Sequence, residues 1–166
     1  ASDWSSDVCS SDLCEYNCSV ANSIANATDS VFIDFPTKES DTNGSVVGAG
    51  SGNSTTATNT WRFVAPISGR YQVNATVSWQ PPNSTPVEFF VSIYKNGALV
   101  QRGQRQSWTT IASTPTIYGV VGGDVRCLAG DYISIGIFQS SGATRYMEAS
   151  AVANRVSIFK IGRAHV

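Results

Sequence analysis

The stretch Tyr71-Gln72-Val73-Asn74-Ala75-Thr76-Val77-Ser78-Trp79 decides the fold. Its apolar residues hold every odd position and its polar residues every even one, the period of a strand with one buried and one polar face. Such alternation points to an antiparallel sheet, since parallel strands are covered on both faces and read as unbroken apolar runs. Working outward, Val87 to Ile93 sets Phe89, Val91 and Ile93 against Glu88, Phe90 and Ser92. Asn96-Gly97 then accepts the positive φ of a two-residue hairpin turn, and Ala98 to Gln101 returns. Gly119 to Leu128 reads as a strand, Ala129-Gly130-Asp131 as a tight turn, and Tyr132 to Phe138 as a strand with Ile133, Ile135 and Ile137 inward. Ser30 to Phe35, Thr60 to Val64 and Arg155 to Lys160 complete the set, the last with Val156 and Ile158 inward. Trp61, Phe63, Tyr71, Val73, Val77 and Phe89 join these inward residues as the expected core. No stretch carries helical spacing, so the expected architecture is all-β, an antiparallel two-sheet sandwich of jelly-roll type. Two loops separate the strands: Asp41 to Asn59, expected to be mobile, and Gln80 to Pro86, stiffened by proline.

Composition narrows the function. The 166 residues are 14% charged, with 11 Lys plus Arg against 12 Asp plus Glu and a formal net charge of −1. Soluble domains average about a quarter charged, so this balance argues against a coiled coil and against a polybasic nucleic-acid binder. No apolar run approaches the roughly 18 to 20 residues of a membrane span, and no membrane insertion is expected.

The two ends read differently from the middle. Ile161 to Val166 (IGRAHV) can be encoded as ATC GGA AGA GCA CAC GTC, whose reverse complement translates to Asp-Val-Cys-Ser-Ser-Asp, the residues Asp7 to Asp12. Ends that encode each other's complement look like read-through of a sequencing adapter ligated to both ends of a DNA fragment, of the kind found in genes assembled from environmental, metagenomic reads. The expected division is therefore an adapter-derived tail at 1–13, one domain at 14–160 from a longer parent protein, and a second adapter-derived tail at 161–166. Setting the tails aside removes Asp3, Asp7, Asp12 and Arg163, leaving ten basic against nine acidic residues.

The excision also removes His165, the only histidine, and with it any Ser-His-Asp or Cys-His catalytic set and any histidine-ligated zinc. Three cysteines remain, Cys14, Cys18 and Cys127. Cys14 and Cys18 are either bridged or free, and Cys127 reads as a small apolar core residue. Asp34, Glu39, Asp41, Glu88, Asp124, Asp131 and Glu148 are scattered in the way of solvated faces and turn formers, and no catalysis is expected from them. No cofactor is expected. Calcium on Asp41, Asp124 or Asp131 is left open, without a dense Asp/Asn run behind it. Gly122-Gly123-Asp124 is no phosphate loop, because no helix N-terminus follows it.

Four motifs occur in order: Trp61-Arg-Phe-Val-Ala-Pro-Ile-Ser-Gly-Arg-Tyr71, Tyr94-Lys-Asn-Gly97, Leu128-Ala-Gly-Asp-Tyr-Ile133 and Asn154-Arg-Val-Ser-Ile158. Together they resemble the complement C1q and tumour necrosis factor jelly-roll superfamily over residues 22–160. Within it, they are most similar to the C1q-like modules of bacteriophage tail and other virion proteins, as is Ile33-Asp-Phe-Pro-Thr-Lys-Glu39-Ser-Asp41-Thr-Asn-Gly44. The last strand departs from the vertebrate members, carrying Asn154-Arg155-Val156-Ser157 in place of Phe-x-Gly.

The resemblance implies a non-catalytic homotrimer in a virion or an extracellular setting, binding a host-surface glycan or protein. Two alternatives are a C1q-like binding domain of a secreted or cell-surface protein and an accessory carbohydrate-binding module of an enzyme. It further implies that Tyr71–Trp79, Gly119–Leu128 and Arg155–Lys160 share the sheet turned toward a threefold axis. Gln72, Asn74, Thr76, Arg126, Arg155 and Phe159 would then lie near that axis, with Ser78 and Ser157 on the same outward side.

Overall fold

The computed structural model describes residues 13–26, 31–80, 87–108 and 116–161. Fourteen strands run through them: β1 (Leu13–Asn17), β2 (Ser23–Ile24), β3 (Val31–Phe32), β4 (Thr37–Asp41), β5 (Val46–Val47), β6 (Arg62–Val64), β7 (Gly69–Trp79), β8 (Val87–Lys95), β9 (Ala98–Arg102), β10 (Gln106–Trp108), β11 (Ile117–Cys127), β12 (Tyr132–Gln139), β13 (Arg145–Tyr146) and β14 (Arg155–Ile161). Among the described residues the one helical element is a 3-10 turn at Ala57–Asn59.

The strands form two facing antiparallel sheets. One has the order β11-β7-β14-β1-β4; the other has β10-β8-β12-β6-β5, with β3 also paired to β12 and β9 to β8. A two-stranded pair, β13 with β2, sits apart. Strands distant in sequence become neighbours, as in a jelly roll, because the inward rows of the two sheets must meet before either is stable.

All thirteen expected core residues are buried, Trp61, Tyr71, Val73, Val77 and Phe89 completely. Aromatic pairs tie one sheet to the other. Trp79 stacks on Phe89 with ring centres 5.1 Å apart, Tyr71 meets Phe63 edge-on at 5.3 Å, and Tyr16 meets Trp61 at 6.0 Å. The hairpin at Asn96-Gly97 has φ of 50° and 78°, the left-handed pair that an Asn-Gly turn supplies. Its ends are fixed from the neighbouring turn, where Asn96 Nδ2 donates to Asp131 Oδ1 at 2.7 Å and Tyr132 N donates to Asn96 Oδ1 at 2.9 Å.

Several sequence expectations need correction. Ser78, placed on the outward polar side of β7, is fully buried, because the 147–154 segment folds over that end of the strand. Asn154 Oδ1 accepts from both Ser78 N and Ser78 Oγ at 2.8 Å. The 41–59 loop is pinned rather than mobile. The buried Asp34 carboxylate accepts Gly50 N at 3.0 Å and Gly52 N at 2.8 Å, and Phe32 and Ser54 exchange backbone hydrogen bonds. β5 then joins the loop to β6.

The strand expected at Ser30 to Phe35 is shorter, Val31–Phe32, although Ile33 and Phe35 are buried all the same. β6 begins at Arg62, not Thr60. Leu13 and Ile161, assigned to the tails, are strand residues opposite Phe159 and Arg70. The rest of both tails, residues 1–12 and 162–166, lies outside the described residues, as do 81–86 of the second loop.

Candidate functional site

The outward face of the five-stranded sheet is built by register. Each outward residue of β7 meets a partner on either side, so three rows cross the sheet. Thr76 lies between Val120 and Arg155, with Asn17 beyond; Asn74 lies between Gly122 and Ser157, with Glu15 beyond; Gln72 lies between Asp124 and Phe159, with Leu13 beyond. Five of the six candidate residues, Gln72, Asn74, Thr76, Arg155 and Phe159, therefore share one contiguous patch. Arg126 falls on a further row at the end of the sheet, opposite Arg70, and Arg70 is ion-paired to Asp124.

A groove of about 270 Å³ runs across the first two rows, lined in part by Glu15, Glu39, Asn74, Val120, Arg155 and Ser157. Glu39 sits where the β1–β4 register shifts, and its carboxylate accepts from Asn17 Nδ2. Among the described residues neither Arg155 nor Arg126 has a partner for its guanidinium, and both are exposed. Apolar surface lies beside this charge: Val120 is 57% exposed and Tyr118 49%.

Glu15 and Val120 are site residues that sequence reasoning missed. The signal for Glu15 was Leu13-Cys14-Glu15-Tyr16, a period-two run in which Cys14 and Tyr16 point inward. It was hidden because the segment abuts the stretch set aside as tail.

Four inward side chains behind and beside this face have raised pKa values. Burial pushes the Cys14 thiol far above its ordinary value, and the Asp41 carboxylate adds to it. The Tyr16 phenol is raised by burial and by Asp41, to which its hydroxyl donates at 3.2 Å. Cys18 is raised by burial, and Cys127 is pushed up to about 11 for the same reason. The three cysteines among the described residues, Cys14, Cys18 and Cys127, are free and buried, and Cys14 and Cys18 are not bridged to each other.

The three aspartates considered for calcium are far apart in role. Asp41 accepts Ser45 N and Val46 N, Asp124 pairs with Arg70, and Asp131 accepts Asn96 Nδ2 and Leu128 N while facing Lys95 Nζ at 3.4 Å. Among the described residues no three His, Cys, Asp or Glu side chains come together as a metal cluster.

No family model and no curated protein matches the sequence. Solved structures do match the fold. The Eiger tumour necrosis factor of S. frugiperda superposes with a TM-score of 0.64 at 10% identity, covering 94% of this chain and 96% of that one. Murine APRIL gives 0.60 at 14% identity over 91% and 98%, and the globular domain of zebrafish complement 1qA gives 0.57 at 14% over 92% and 98%. The chain has the C1q/tumour necrosis factor jelly-roll fold. At such identities the likeness concerns the course of the backbone. The C1q/TNF-like sandwich here keeps that course with its own outward residues, and Arg155 with its groove is read from this chain alone.

Proposed function

We propose that the protein is a non-catalytic, homotrimeric C1q-like module of a phage tail, fibre or other virion protein, which trimerises its parent chain and presents loops to a host-surface glycan or protein. The supporting observation for the trimer is the outward face of the five-stranded sheet. Val120, Tyr118 and Phe159 lie there with the guanidinium groups of Arg155 and Arg126, which have no partner among the described residues, a mixture that a subunit interface with an apolar centre and polar rim would use. A non-catalytic reading is supported by the raised thiols and by aspartates engaged in turns and ion pairs. The virion setting is supported by the order of the Trp61, Tyr94, Leu128 and Asn154 motifs and by the Ile33 to Gly44 segment.

Sedimentation tests the trimer. The wild-type protein is expected to run as a trimer at concentrations on the order of tens of micromolar, since a subunit equilibrium follows mass action. Phe159→Asp places a charge in the middle of the patch and is expected to release folded monomers. A wild-type protein that already sediments as a monomer would overturn the reading. The virion setting is tested by the genes beside this one on the source DNA. Structural virion genes are expected there, and a neighbourhood of secreted-enzyme genes would overturn it.

A further inference from the structure

We infer that the segment from Gln101 to Gln106 stands in for a neighbouring strand along the open edge of β11, and that it keeps this edge from pairing with the β11 edge of a second copy. Among the described residues β11 is the last strand on its side of the five-stranded sheet, with β7 as its sheet neighbour. In an antiparallel ladder the N–H and C=O of one residue point the same way, so alternate residues of an edge strand turn both groups away from the sheet. Tyr118, Val120, Gly122, Asp124 and Arg126 form that set, and its first three members are met from the other sheet. Gln106 Nε2 donates to Tyr118 O at 3.1 Å, and Gln101 Nε2 donates to Gly122 O at 2.6 Å. Between them Gly103 lies so close that a Cβ would stand 2.3 Å from Val120 O, while Gly103 N is held by Val91 O at 2.7 Å.

The glycines of β11 gain a role that a phosphate loop could not give them. A Cβ on Gly123 would stand 2.0 Å from Gln101 Oε1, and one on Gly119 would stand 2.5 Å from the side chains of Phe89 and Val91. Bare backbone at these positions lets the edge of one sheet lie against the edge of the other. Gln106 Oε1 is buried with no partner, so the amide is oriented for the Tyr118 carbonyl at the expense of its own oxygen.

The seal matters because the edge is long and its 117–123 part carries no charge. β11 has eleven residues, and its exposed Tyr118 and Val120 would lie beside their counterparts if two copies paired. A long, flat, apolar edge is the surface through which copies associate unless it is covered or charged. The occupant is a second copy of the strand itself, which offers the same spacing of donors and acceptors. The glutamines cover only the Tyr118 and Gly122 carbonyls, since their amide nitrogens donate.

The inference is independent of the trimer, because the reference in its test is the wild-type assembly, whatever its size. The full chain carrying Gln101→Ala and Gln106→Ala is compared with wild type by sedimentation and by hydrogen exchange resolved at single amides. Species heavier than the wild-type assembly are expected, their share growing with concentration, together with slower exchange at the Val120 and Gly122 amides. A second variant, Gln101→Glu with Gln106→Glu, loses the same hydrogen bonds, since a carboxylate cannot donate to a carbonyl, but charges the edge, and is expected to keep the wild-type mass. Gly123→Ala, which displaces the end of the Gln101 side chain, carries the same expectation as the alanine pair should that pair fail to fold. The inference is overturned if the unsealed variant keeps wild-type mass and exchange, if the glutamate variant forms the heavy species as well, or if heavy species form without protection at those two amides.

Discussion

Asn154 is fully buried and uses its whole amide. Its Oδ1 accepts twice from Ser78, while its Nδ2 donates to Cys18 O at 3.2 Å, Glu148 O at 2.7 Å and Ser150 O at 3.1 Å. One side chain thus joins β7, the chain after β1 and the turn before β14. Asn154→Ala would leave the Ser78 N–H and the Cys18 carbonyl buried without it, and the expected cost is about 2 to 4 kcal/mol in chemical denaturation. Nothing in the local sequence announced this. Asn154 stood out only as a departure from a family pattern, because its partners Ser78 and Cys18 are 76 and 136 residues away in the chain. Arg155 next to it was legible as outward, since strand period alone assigns a face. Its groove was not legible, because Glu15 and Glu39 arrive from strands whose pairing the period does not specify.

Among the elements, the long strands were readable and the short ones were not. β7, β8 and β12 have enough alternating residues to show a period, and their inward rows match the expected core. β2, β3, β5 and β13 have two residues each and owe their existence to a neighbour. Phe89→Ala and Ile135→Ala remove fully buried side chains from adjacent strands of one sheet, and each is expected to cost about 2 to 5 kcal/mol by chemical denaturation.

The turn between β11 and β12 makes a prediction about pH. Asp131 accepts from Asn96 Nδ2 and from Leu128 N, and these bonds hold its carboxyl below its ordinary value. A depressed carboxylate adds stability that is present above its unfolded-state pKa and lost as pH falls through the folded one. The difference in Tm between wild type and Asp131→Asn is therefore expected to be largest near neutral pH and to close as the solution is acidified past the carboxylate range. A gap that stays constant down to strongly acidic pH would remove this role.

For the whole molecule, the described sandwich spans Leu13 to Ile161, so a trimmed protein should keep both residues. Deleting residues 1–12 and 162–166 is expected to leave Tm within a few degrees of the full chain. A loss well beyond that in a thermal melt would return those segments to the domain. The amino-acid sequence by itself determined the all-β class, the antiparallel sense, the Asn96-Gly97 hairpin and which residues of each long strand face inward. These follow from side-chain period and turn chemistry, which act over a few residues. Only the tertiary structure decided that Ser78 is covered, that the 41–59 loop is pinned to Asp34, that Glu15 and Glu39 flank Arg155, and that Gln101 and Gln106 cap the edge of β11. Each of these joins residues far apart in the chain through pairings and sheet-edge contacts that no local pattern encodes, and they exist only once the two sheets have closed on a shared core.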